Sequence, residues 1–158
     1  MKVAEIMSVP VLTCMPETSL AQAARLMQSA DCGILPVVDS DGRVVGIITD
    51  RDICLAIAAS NRSPRALAVH EIMAKYPVVA REDDELSAAL SAMRHGRVRR
   101  LPVLDGAAHL TGMLSLDDIV VRGIEIGAVS AGEIVNTLRD LYERRPALVE
   151  PGPVSARV

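Results

Sequence analysis

Two short stretches of the chain place reactive residue types at a useful spacing: Gly46-Ile47-Ile48-Thr49-Asp50-Arg51-Asp52 and Gly112-Met113-Leu114-Ser115-Leu116-Asp117-Asp118. Reduced to chemistry, each is a glycine, two apolar residues, a hydroxyl, two variable positions and an aspartate. An ionised carboxylate offers two acceptor oxygens, which suits the two donors of a ribose cis-diol. The start of a helix adds backbone N–H groups that favour a nearby phosphate. The glycine lets a ligand or a neighbouring backbone approach closely. A hydroxyl followed three residues later by an acid is also the pattern of a capping box, in which the two side chains satisfy orphan N–H groups. Spacing alone leaves both roles open, and one pair can fill both.

A basic run, Arg94, His95, Arg97, Arg99 and Arg100, is the other charged feature. It reads as a solvated face or as a phosphate contact. A nucleic-acid patch is disfavoured by a net charge of -3 and by an aromatic complement of two rings, Tyr76 and Tyr142, with no Phe or Trp. Single-strand platforms stack bases on such rings. An enzyme would need a nucleophile with a base and an oxyanion donor, or a liganded metal. Neither is legible, so a binding module is expected, with no catalytic residue, no metal and no cofactor. No apolar run reaches the ~18 residues of a membrane span. The first residues lack a signal-peptide core, so a cytoplasmic protein is expected.

The elements that must position these residues are written twice. Sliding the chain by 66 residues brings Val3, Glu5, Ile6 and Met7 onto Val69, Glu71, Ile72 and Met73. The same shift aligns Leu20, Ala23 and Met27 with Leu86, Ala89 and Met93, Leu35-Pro36-Val37 with Leu101-Pro102-Val103, and Gly46 with Gly112. Such self-similarity marks two copies of one structural unit. Each copy predicts a helix with its apolar stripe on one face (Leu20, Ala23, Ala24, Met27; Leu86, Ala89, Leu90, Met93). Two strands follow, over Ile34–Val38 and Val44–Ile48, and over Leu101–Leu104 and Leu110–Leu114. Turns at Asp41-Gly42 and Asp105-Gly106 join them, and a further helix starts near Asp50 or Leu116. The expected division is 1–61 for the first repeat, 62–68 for a linker, 69–124 for the second repeat, and 125–158 for an extension. That extension should hold a helix over about 131–145, capped by Ser130 and Glu133, with Ile134, Val135, Leu138, Leu141 and Tyr142 as its apolar face. A flexible tail should follow it.

A unit of about 55 residues buries too little surface to be comfortable alone. The two copies should therefore pack face to face with pseudo-two-fold symmetry, leaving clefts between them where small ligands sit. The repeat also supplies a control. Cys14, Cys32 and Cys54 meet Ala80, Val98 and Val120 under the shift, which reads as core-like thiols and makes a thiol-based redox sensor a runner-up only. His70, His95 and His109 meet Ala4, Ser29 and Arg43, which reads as surface. Glu82-Asp83-Asp84-Glu85 precedes a helix and complements its positive end.

Ile6-Met7 and Ile72-Met73, the two Leu-Pro-Val segments ending in Asp39 and Asp105, and the two Gly-x-x-Thr/Ser-x-x-Asp endings resemble tandem CBS domains, over residues 1 to about 124. The resemblance implies an α/β (α+β) fold of two β-α-β-β-α repeats forming a Bateman module, plus the C-terminal helix. It implies a regulatory, energy-sensing type of protein that binds adenosine-containing ligands, AMP or ATP foremost. The ribose-contacting roles fall on Thr49 with Asp52 and on Ser115 with Asp118. Phosphate contacts fall on Arg99 and Arg100, with Gly33 and Ile34 at the matching positions of the first copy; Arg51 is a further candidate. Base contacts are expected from Pro10, Val11, Leu12, Ile34, Pro36, Pro77, Val78, Val79 and Pro102. Two modules should meet in a homodimer through helical faces (Ile53, Leu55, Ile57; Ile119, Val120, Ile124), and the regulated effector protein should be a separate chain. A ligand-free dimerisation scaffold is the other alternative.

Overall fold

Each copy folds as its apolar periodicity dictates. In the computed structural model, which describes residues 1–143, Leu20–Ser29 forms α1, Ile34–Val38 and Val44–Thr49 form β1 and β2, and Asp50–Ala59 forms α2. The second copy gives short strands β3 (Ala74–Lys75) and β4 (Ala80–Arg81), then α3 (Leu86–Gly96), β5 (Arg100–Leu104) and β6 (Leu110–Ser115). α4 (Leu116–Asp118) runs on into a π-helical turn over Ile119–Gly123, and α5 (Ala131–Tyr142) closes the described chain. α1 starts where Ser19 Oγ accepts from the Gln22 backbone N–H and the Gln22 amide returns to Ser19, a reciprocal cap.

Two three-stranded sheets result, ordered β1-β2-β3 and β4-β5-β6. β1 and β2 pair antiparallel with Leu35 opposite Ile48, and β5 and β6 repeat this with Leu101 opposite Leu114. The third strand of the first sheet comes from the second copy: Ala74 pairs with Ile47. Reciprocally, Ser8 of the first copy bridges Met113 of the second. The same exchange holds at the helix starts, where the Leu20 N–H donates to Leu67 O and the Leu86 N–H donates to Met1 O. Arg43 bridges His109, its own equivalent under the repeat. These reciprocal contacts are what pseudo-two-fold packing requires.

Two hydrophobic cores follow from the exchange. One joins Val3 and Ile6 to Leu86, Leu90, Met93, Leu101, Leu114 and Ile119. The other joins Leu67 and Val69 to Leu20, Met27, Leu35, Ile48 and Ile53. Each therefore consists of the body of one copy and the opening segment of the other. Full burial contributes about 1.5–3 kcal/mol for a side chain of this kind, so neither half is complete without its partner's opening.

Several local expectations are corrected. Ala24 faces solvent, and Leu26 instead packs against the core. Ile53 and Ile119, expected on outward faces, lie in the cores, whereas Leu55, Ile57, Val120 and Ile124 are exposed. In the second hairpin the left-handed residue is Ala108 at φ 68, not Gly106; Gly42, its equivalent, has φ 79. The Asp39 and Asp105 carboxylates fix both turns by accepting backbone N–H groups two and four residues on. α5 ends at Tyr142, short of the expected 145, with Glu143 already out of the helix; the rest of the expected turn and the tail lie outside the described residues. Ser130 and Glu133 cap α5 as expected. Its inner face is Ile134, Thr137, Leu138 and Leu141, while Val135 and Tyr142 point outward because they fall off that stripe. Among the described residues no helix is long and apolar enough to cross a membrane.

Candidate functional site

The two hydroxyl–acid pairs sit at the ends of β2 and β6, where the chain turns into a helix. Thr49 Oγ1 accepts from the Asp52 N–H at 3.2 Å, and Asp52 Oδ2 accepts from the Thr49 N–H at 3.0 Å and its hydroxyl at 2.7 Å. Ser115 and Asp118 repeat the arrangement, with Asp118 Oδ2 accepting from the Ser115 N–H at 2.9 Å. Both capping boxes are thus complete. One carboxylate oxygen of each aspartate serves the cap; the second, Oδ1, takes no protein donor on Asp52 among the described residues and accepts from the Ser8 hydroxyl on Asp118.

Each pair opens onto a cleft between the two copies. Cleft 1, of about 660 Å³, places Thr49 and Asp52 opposite Tyr76, Pro77 and Val78 from the second copy's opening. Cleft 2, of about 350 Å³, places Ser115 and Asp118 opposite Pro10, Val11 and Leu12 from the first copy's opening, with Cys32 and Met113 beside them. Exchange of the openings thus gives each polar pair an apolar wall from the other repeat. Ile34 and Arg100 line both clefts. Pro36 and Pro102 do not line either: both are buried within their strands. Val79 also lies outside both linings.

Charge separates the clefts. Cleft 1 gathers Arg51, Lys75, Arg97, Arg99 and Arg100 against Asp50 and Asp52. Cleft 2 has Arg100 against Asp118. Arg51 and the arginines ahead of β5 therefore serve the Thr49–Asp52 side together. Lys75 and Arg97 were not foreseen. Lys75 arrives through strand exchange, and Arg97 is turned into the cleft by a left-handed backbone at φ 52 that ends α3. Some of these cations hold protein partners: Arg99 donates to the Tyr142 hydroxyl at 3.3 Å, Arg97 to Glu143 O at 3.0 Å, and Arg100 lies 3.5 Å from Asp117.

The motif glycines answer to packing. A Cβ on Gly112 would overlap Met7, and one on Gly46 would overlap Met73. The close approach is that of the opposite copy's opening methionine, which locks the exchange in register. The cysteines divide. Cys14 is buried, and burial pushes its thiol up to about 11; Cys32 is half-buried in cleft 2; Cys54 is exposed, against the core-like expectation, because it lies on the outer side of α2. Among the described residues no group of three His, Cys, Asp or Glu side chains is placed to hold a metal.

Two repeats that exchange openings and leave paired clefts between them define a tandem-repeat α/β module. The chain belongs to the CBS domain family, which matches residues 3–59 and 69–124. It is 40% identical over 149 residues to inosine-5'-monophosphate dehydrogenase of Mycobacterium bovis, covering 89% of this chain and 27% of that protein. The chain therefore spans about a quarter of that relative's length. Among solved structures it resembles CBSX2 of Arabidopsis thaliana in complex with AMP, with a TM-score of 0.69 and 26% identity over 80% of this chain and 98% of that one. It also resembles the CBS domain pair of MJ0100 in complex with 5'-methylthioadenosine and S-adenosyl-L-methionine, with a TM-score of 0.70 and 28% identity over 82% and 98%.

Proposed function

We propose that this chain is a regulatory sensor that binds adenosine nucleotides in the clefts between its repeats and relays occupancy to a separate effector protein in the cytoplasm. The observation that carries the reading is the composition of cleft 1. An open carboxylate oxygen on Asp52 suits a ribose hydroxyl, the Pro77–Val78 wall and Ile47 suit a base, and Arg51, Arg97, Arg99 and Arg100 suit a phosphate chain. The AMP and adenosyl ligands of CBSX2 and MJ0100 support the same ligand class. Cleft 1 takes the phosphorylated ligand, AMP or ATP. Cleft 2, with a single arginine, binds phosphate weakly and accepts a neutral or cationic adenosyl compound. The exposed Leu55, Ile57, Val120 and Ile124 supply the contact of a homodimer.

A thermal shift assay tests the reading. A nucleotide at about 100 times its dissociation constant contributes roughly 2.7 kcal/mol, a rise of about 5–10 °C for a chain this size. AMP should produce that rise, and the double variant Asp52→Ala/Asp118→Ala should lose it. Double variants that melt lower yet bind AMP normally would assign the aspartates to capping alone.

A further inference from the structure

The two aspartates that face the clefts differ in one hydrogen-bond partner. Asp118 Oδ1 accepts a hydrogen bond from the Ser8 hydroxyl at 3.1 Å. Among the described residues, no donor reaches Asp52 Oδ1. The residue equivalent to Ser8 is Ala74, and the two occupy the same register: Ser8 bridges Met113 as Ala74 pairs with Ile47. Backbone and carboxylate are matched, so a single hydroxyl distinguishes them.

We propose that Ser8 sets the sugar specificity of the module: cleft 1 selects ribonucleotides over deoxyribonucleotides more strongly than cleft 2 does. The inference rests on the reading of the clefts as adenosine-nucleotide sites. In cleft 1 a ribose hydroxyl donates to Asp52 Oδ1 without displacing a protein partner, so the 2′-hydroxyl adds affinity. In cleft 2 the same hydroxyl meets an Asp118 Oδ1 that already accepts from Ser8, and either displaces that bond or shares the oxygen with it. The gain there is smaller, because two donors draw on one acceptor.

Methyl NMR on the full chain tests this without disabling either site, because Ile47 lines cleft 1 and Met113 lines cleft 2. Titration with AMP and with 2′-deoxy-AMP gives an affinity ratio for each cleft. The ratio should favour AMP by roughly three- to tenfold in cleft 1 and by clearly less in cleft 2. Ser8→Ala should raise the cleft 2 ratio toward that of cleft 1, and Ala74→Ser should lower the cleft 1 ratio toward that of cleft 2. Equal ratios in the two wild-type clefts, or ratios that ignore both substitutions while AMP still binds, overturn the role of Ser8 and leave the nucleotide reading standing. An Ile47 methyl that AMP does not shift overturns both.

Discussion

Cleft 1 and cleft 2 are built from equivalent positions of one repeat, yet they are chemically different sites. Both have a capped hydroxyl–acid pair on one side and an apolar opening segment on the other. Cleft 1 adds Arg51, Lys75, Arg97 and Arg99 to the Arg100 that both share. Cleft 2 adds Cys32 and Ser8. Duplication supplied the geometry twice, and substitutions at the rim then separated charge from shape. The lesson is that the specificity of a repeat protein lies where its repeats differ, while its fold lies where they agree.

The sharpest way to break this comparison is through phosphate. A charge-assisted hydrogen bond contributes about 1.5–3 kcal/mol, so AMP should bind cleft 1 more than tenfold better than adenosine does. Cleft 2 should show a much smaller ratio. Arg51→Ala/Arg99→Ala should bring cleft 1 down toward cleft 2, read by calorimetry with both ligands.

Stability gives the next largest effect, and here the two halves should behave alike. Removing a hydroxyl cap costs about 0.5–2 kcal/mol. Thr49→Ala and Ser115→Ala should each lower the melting temperature by about 1–8 °C, because their cap geometries match. A large drop in one and none in the other would mean that only one pair caps its helix.

The fastening of the opening that walls cleft 2 should depend on acid. The Glu85 carboxyl is drawn down to about 2, first by its hydrogen bond to Lys2. Its folded value lies below the usual 4.5, so its contribution is fully present above pH 4.5 and is lost as pH falls toward 2. A carbon-detected titration should place the Glu85 midpoint near 2, and Lys2→Ala should move it back up toward 4.5.

The smallest effect is a labelling contrast. Alkylation should reach Cys54 first, with or without ligand, and Cys14 last, because burial holds its thiol at about 11. Cys32 should be shielded by a ligand in cleft 2 but not by one confined to cleft 1. Loss of all three rates together on adding ligand would contradict the separation.

Much of this was legible in the sequence because it was local. Helix stripes such as Leu86, Ala89, Leu90 and Met93, the Ser19 and Ser130 caps, and the strand pairs follow from periodicity within a dozen residues. The 66-residue register carried the same reading to both copies. What stayed hidden was long-range. No periodicity tells that Val3 and Ile6 complete the second copy's core, or that Met73 and Met7 close on Gly46 and Gly112. Lys75 and Arg97 were missed for related reasons, one delivered by strand exchange and the other by a left-handed backbone. Pro36 and Pro102 were over-read, since a strand residue flanked by buried neighbours on a packed sheet has no route to a cleft.

The measurement closest to the central claim is a calorimetric titration of the full chain with AMP, repeated on Arg99→Ala. Unequal cleft chemistry requires two classes of site, with the tighter one weakened at least tenfold by the substitution and the weaker one left in place. Two equal sites whose affinity is indifferent to Arg99, or no binding heat at all, would contradict it.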